Sequence, residues 1–123
     1  WNPPGAAMVY LGGSRAVAAL EMLAHLTPQS RRLKFQLLEV CFLEDLVREL
    51  PMKDLPKDWR DDPAPNAVRE LGLNWLEGGK SCVLRVPSVV IPAETNYLLN
   101  PAHPEFKKVK VNASEAWQFD RRL

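Results

Sequence analysis

The chain has 123 residues, 46% hydrophobic and 25% charged, an ordinary globular composition in the length of one domain. Sixteen basic residues against fifteen acidic leave a net charge of +1, so no global basic field points to nucleic acid or an anionic membrane. No apolar run approaches the ~20 residues of a membrane span, and eleven prolines, about 9% against an average near 5%, argue against a pure helical bundle.

Ala7 to Leu11 reads as a short buried strand, ended by Gly12-Gly13. Ser14 is a good N-cap for a helix to about Leu26, because its hydroxyl can accept from a free first-turn amide. Ala16, Ala19, Leu20, Leu23 and Leu26 fall on one face at helical spacing, with Glu21 and His25 on another. Leu33 to Leu43 is rich in strand formers. Its alternation runs Leu33, Phe35, Leu37 and then slips to Leu38, Val40, Phe42, which a bulge or burial on both faces would explain. Glu44 to Leu50 reads as a short helical turn, and Pro51 to Pro65 as a proline- and charge-rich loop.

Asp62 is the predicted cap of a second helix, with Pro63 in its first turn. Ala64, Val68, Leu71 and Trp75 form its apolar stripe, and Gly78-Gly79 stop it. Ser81 to Val86 alternates as a strand, and Ser88 to Pro92 is expected to continue it past Pro87. Lys107 to Val111 and Glu115 to Phe119 read as late strands. Five or six strands and two clear helices, not in strict alternation, make the fold α+β rather than doubly wound. Cys41 and Cys82 both lie in apolar stretches and read as two buried, reduced thiols, which points to the cytoplasm.

Several familiar motifs fail. Gly79-Lys80-Ser81 resembles the end of a phosphate-binding loop, but Asn74 stands where its first glycine belongs, and the order of helix and strand is reversed. His25 and His103 have no metal-ligand spacing, and no Cys-x-x-Cys or Gly-x-Ser-x-Gly exists, so no metal is expected. Three placements remain. Tyr10 ends a strand against two glycines, Glu21 sits on the following helix near an N-terminus that favours anions, and Ser88 lies in a strand that Pro87 and Pro92 bracket. Taken alone, each has an ordinary structural explanation: a core tyrosine with a wet hydroxyl, a solvated carboxylate, and a serine bonded to backbone.

Together they match a family. Trp1-Asn2-Pro3-Pro4-Gly5, Val9-Tyr10, and Ala18-Ala19-Leu20-Glu21 with His25 resemble the start of the RES domain, named for Arg, Glu and Ser. Leu55-Pro56-Lys57-Asp58-Trp59, Gly72 with Trp75-Leu76, Val86-Pro87-Ser88, Asn96-Tyr97-Leu98-Leu99-Asn100-Pro101 with His103-Pro104, and Phe119-Asp120-Arg121-Arg122-Leu123 resemble its later landmarks, in order, over nearly the whole chain. The resemblance implies a single domain over residues 1–123, like the ADP-ribosyltransferase toxins in fold, with mostly antiparallel central sheets and two or more flanking helices. It implies a toxin of a bacterial toxin–antitoxin pair that consumes NAD⁺ as substrate, with no separate cofactor. ADP-ribose would pass to phosphate or water, or alternatively to a protein. The implied partner is an antitoxin with an Xre-like domain that covers the NAD⁺ crevice, in a higher-order complex.

Tyr10, Glu21 and Ser88 fall on the family's Tyr, Glu and Ser, as catalytic and NAD⁺-binding residues. The family's Arg belongs immediately before Trp1, so the resemblance implies that the N-terminal portion carrying it lies outside these residues. A catalytically inactive interaction domain is therefore the alternative of a different class. The chemistry suits the residues. Breaking the nicotinamide–ribose bond develops positive charge at the ribose, which a carboxylate stabilises, while an aromatic ring can stack on nicotinamide and a serine can orient the substrate.

Overall fold

The computed structural model describes residues 1–123. Six strands and two α-helices follow one another as β1 (Val9–Gly12), α1 (Arg15–His25), β2 (Phe35–Cys41), β3 (Val47–Glu49), α2 (Asn66–Gly78), β4 (Val83–Pro87), β5 (Thr95–Leu99) and β6 (Lys110–Trp117). Four strands form one sheet in the order β1-β5-β4-β3, in which only the β3–β4 pair is parallel. β2 and β6 form a separate antiparallel ribbon. The fold is α+β, as the order of elements implied, and its sheets are mostly antiparallel, as the resemblance implied. No helix is long and apolar enough to cross a membrane.

β4 and β5 lie at the centre of the larger sheet and are buried on both faces, so alternate residues feed two cores. Val83 and Leu99 join Leu46 and Cys82 on one side, where Val40, Phe42 and Val109 of the ribbon region pack against them. Leu84, Val86 and Leu98 form the other core, covered by Trp1, Met8, Leu50 and Trp75. Leu98 is fully buried, so truncating it to alanine would cost about 2–5 kcal/mol. Two glycines set close contacts. A Cβ on Gly12 would stand 2.5 Å from the Ala18 nitrogen, and one on Gly72 would stand 1.8 Å from the Trp1 carbonyl oxygen. α1 therefore seats directly on the end of β1, and the N-terminal segment lies directly on α2.

Several elements differ from their predicted form. α2 begins at Asn66 after Pro65, not at Asp62. Pro63 and Pro65 both disfavour helix in the residue before them, so the helix starts only beyond the second. Ala64 is thus outside it, while Val68 is buried in the stripe as expected and Gly79, with φ 60°, stops it. The segment after Pro87 does not continue β4. Residues 88–94 turn back, closed by bonds from Ser88 N to Glu94 O (2.9 Å) and Glu94 N to Ile91 O (2.8 Å), and lead into β5.

The turn predicted over Glu44–Leu50 is confined to Glu44–Leu46, and β3 follows it. The two late strands are one, β6, paired along β2. The phase slip in β2 is a register shift between Glu39 and Val40, two residues later than the alternation suggested, so Leu38 is exposed and the inward phase resumes at Val40. Beyond it Val40 points inward and Cys41 outward, so Cys41 is exposed and only Cys82 is the buried thiol. The ribbon is covered on one face, which leaves the residue after an inward valine on the open one.

Candidate active site

α1 begins at Ser14, whose hydroxyl accepts from Val17 N at 3.2 Å. The predicted stripe is only partly covered: Ala19, Leu23 and Leu26 are half-buried. Val17 is its one buried residue, whereas Leu20 is 38% exposed and Ala16 is open to solvent. Ala18 seated on Gly12 fixes that rotation. Glu21 lies three residues after Ala18 and four after Val17, on their face. The helix thereby turns a carboxylate toward the sheet.

Two donors meet it there. Ser88 Oγ donates to Glu21 Oε1 at 2.6 Å, and Asn96 Nδ2 donates to the same oxygen at 2.6 Å. Ser88 is fully buried, in the turn after β4, and its hydroxyl also accepts from Ile91 N at 3.0 Å. The turn is tethered from outside by Arg60, whose Nε donates to Val89 O at 3.0 Å. Asn96 is 9% exposed on β5, opposite Gly12 on one side and Val86 on the other. Glu21 Oε2 takes no bond from the protein and is not among its enclosed, unpartnered atoms, so it reaches solvent.

Tyr10 pairs with Leu98, two residues from the Gly12–Asn96 pair, and so shares the sheet face that carries Asn96. Its ring is half-exposed, and its hydroxyl donates to Asn2 Oδ1, while Asn2 Nδ2 donates to Ala6 O at 2.7 Å. Burial raises the phenol's pKa above its ordinary value of 10.0. Of the three predicted residues, Glu21 and Ser88 are in direct contact. Tyr10 is a neighbour on the same face, with no hydrogen bond to either.

Asn96 and Asn2 were not among the predicted site residues. Asn96 carried a signal nonetheless: an amide in a strand of otherwise apolar and β-favouring residues that is buried on both sides needs a polar partner. The arrangement is a carboxylate held from within the protein through one oxygen, its other oxygen open, beside an aromatic face. A cavity of about 560 Å³ lies elsewhere, among Arg31, Arg32, Gln118, Phe119 and Arg121, and none of Tyr10, Glu21 and Ser88 lines it.

The chain is similar to known proteins over its whole length. The model of the RES domain matches residues 1–122. A Toxin Res from Yersinia enterocolitica serotype O:8 is 37% identical over 124 residues, covering 100% of this chain and 82% of that protein. A Prs ADP-ribosylating toxin from Sphingobium sp. strain YBL2 is 35% identical over 126 residues, covering 100% of this chain and 78% of that protein. A Toxin Res from Pseudomonas putida is 32% identical over 117 residues, 94% of this chain and 79% of that protein. A match that runs through the strand of Tyr10, the helix of Glu21 and the turn of Ser88 places this chain in the RES-domain family.

Proposed function

We propose that the protein is the toxin of a bacterial toxin–antitoxin pair and that it consumes NAD⁺ in the cytoplasm, breaking the nicotinamide–ribose bond and passing ADP-ribose to phosphate or water. The observation that carries this reading is the Glu21 carboxylate, held by Ser88 and Asn96 through Oε1 with Oε2 open, in a chain of this family. Oε2 accepts a ribose hydroxyl and faces the positive charge that develops at the anomeric carbon, where a fixed negative group lowers the barrier most. The half-exposed Tyr10 ring stacks on the nicotinamide and keeps water from that face. NAD⁺ is consumed as a substrate, and no further cofactor takes part. Free activity would exhaust the producing cell, so the antitoxin, with an Xre-like domain, covers this crevice in the complex.

A second reading is transfer of ADP-ribose to a protein, favoured by the relative named as a Prs ADP-ribosylating toxin. The test is nicotinamide release from NAD⁺ by the product of the complete open reading frame, with and without phosphate, alongside labelled NAD⁺ in a cell lysate. Soluble ADP-ribose or its phosphorylated product supports the first reading. Label retained on one protein band supports the second. No nicotinamide in any arm refutes both and leaves an interaction domain.

A further inference from the structure

Asn96 is the polar residue that the fold itself does not explain. It sits on β5 between Gly12 and Val86, where a β-branched residue would pack without loss. Its Oδ1 is buried and has no hydrogen-bond partner, a cost that native interiors seldom carry. The amide cannot turn over to relieve it, because that would set Oδ1 against the Glu21 oxygen 2.6 Å away. The side chain is thus spent on Glu21 at the expense of its own carbonyl. Local rules broken in this way are characteristic of functional sites.

We infer that Asn96 is a positioning residue for Glu21, acting with Ser88 as a two-donor clamp on Oε1 that aims Oε2 at the substrate. This rests on the proposed role of Glu21 in NAD⁺ cleavage. The two donors lie 67 and 75 residues from Glu21, one in the turn after β4 and the other on β5 just beyond that turn, so the carboxylate is held by a part of the chain remote from its own helix. Ser88 is fully buried and its hydroxyl is already shared with Ile91 N. With Ser88 fully buried and Asn96 9% exposed, neither donor has appreciable surface to offer NAD⁺, in place of the direct Ser88 contact expected from the sequence. Both act through the carboxylate, which separates clamp from substrate ligand kinetically: loosening Glu21 lowers kcat, whereas losing a substrate contact raises KM.

The experiment uses Asn96→Ala and the near-isosteric Asn96→Leu, which keeps the volume and removes the donor without placing a second carboxyl against Glu21. Nicotinamide release is measured with the melting temperature of each variant. Both should fold, with kcat down about 10- to 100-fold, the loss expected for one hydrogen bond to a charged group, and KM within about twofold. A KM increase with kcat retained would make Asn96 a substrate ligand and overturn the clamp. Unchanged kinetics in both folded variants would overturn it too, and so would failure of both to fold, which would make Asn96 a residue of the fold alone. The clamp also has a readout independent of activity. The Asn96 side-chain amide, assigned by its loss in Asn96→Leu, should show shifted proton resonances in the wild type that return to ordinary values in Glu21→Ala. If the wild-type protein releases no nicotinamide while that shift is present, the functional reading fails and the clamp stands.

Discussion

Replacing Glu21 by glutamine isolates charge from geometry. The glutamine oxygen can occupy the place of Oε1 and still accept from both Ser88 Oγ and Asn96 Nδ2, and its NH₂ takes the place of the open Oε2. Each bond falls from about 1.5–3 kcal/mol for a charged acceptor to about 0.5–1.5 for a neutral one. Because Glu21 is only half-buried, that difference is discounted, and the net loss of stability should be about 1 kcal/mol, or roughly 3–6 °C in Tm for a domain of this size. Glu21→Ala differs in kind. It leaves a buried hydroxyl and a buried amide without an acceptor, at about 1–3 kcal/mol each, so it should cost about 2–4 kcal/mol once entering water is allowed for. On activity the two should be alike. The glutamine puts a donor and no charge where positive charge develops, and removal of one such preorganised electrostatic group costs about 10²–10³ in kcat. Melting curves and nicotinamide release on wild type, Glu21→Gln and Glu21→Ala decide the matter. Wild-type kcat in folded Glu21→Gln removes the carboxylate from the chemistry. Equal loss of stability in the two variants would mean that the two-donor geometry is not what holds the site.

Three other outcomes follow from the same structure. Gly72→Ala should destabilise by about 1–3 kcal/mol despite the gain of about 1 kcal/mol in helix propensity, because the new Cβ displaces Trp1 from α2, whereas Gly78→Ala meets no atom within 4 Å and should be neutral or slightly stabilising; equal Tm in the two would refute the docking of Trp1. A thiol reagent should label exposed Cys41 quickly and buried Cys82, whose thiol burial also pushes up in pKa, only on unfolding; two equal fast phases would contradict the burial of Cys82, and two equal slow ones the outward placement of Cys41 beyond the register shift. Since burial raises the Tyr10 phenol, the folded state holds its proton more tightly than the unfolded chain, so stability is complete below pH ~10 and falls as pH rises through the folded-state value. Tyr10→Phe should remove that part of the fall, and an unchanged alkaline profile would place the phenol in an ordinary solvated environment.

Local signals in the sequence were reliable where the chain itself completes the interaction. Ser14 caps α1, Gly79 ends α2, and the broken alternation in Leu33–Leu43 marks a true register shift, because each depends on residues within a few positions. The start of α2 was misread from one proline when two govern it. β5 went unread as a strand because Thr95–Leu99 follows a turn that looks like more of β4; Val89, Val90 and Ile91 have strand character, yet the backbone bond from Ser88 to Glu94 reverses the chain first. β3 is only three residues long and is defined by its parallel partner rather than by its own pattern.

The Glu21 carboxylate shows why the candidate site is harder to read than the fold. Helical periodicity turns the leucine face of α1 inward, and on that rule Glu21 belongs to solvent. The rule fails because a contact outside the helix sets its rotation. With no Cβ on Gly12, Ala18 settles against the end of β1, Val17 is buried, and the next residue on that face is Glu21. A carboxylate turned toward a sheet is tolerable only if donors await it, and these come from a turn and a strand far along the chain. The glycines that read as a strand stop therefore also aim the helix. A bulkier residue at position 12 would have to push α1 away from β1, and the bonds to Ser88 and Asn96, at 2.6 Å, leave little slack for that movement. The orientation adopted leaves Leu20 and Met22 partly exposed, and it is the one that brings Glu21 to its two donors.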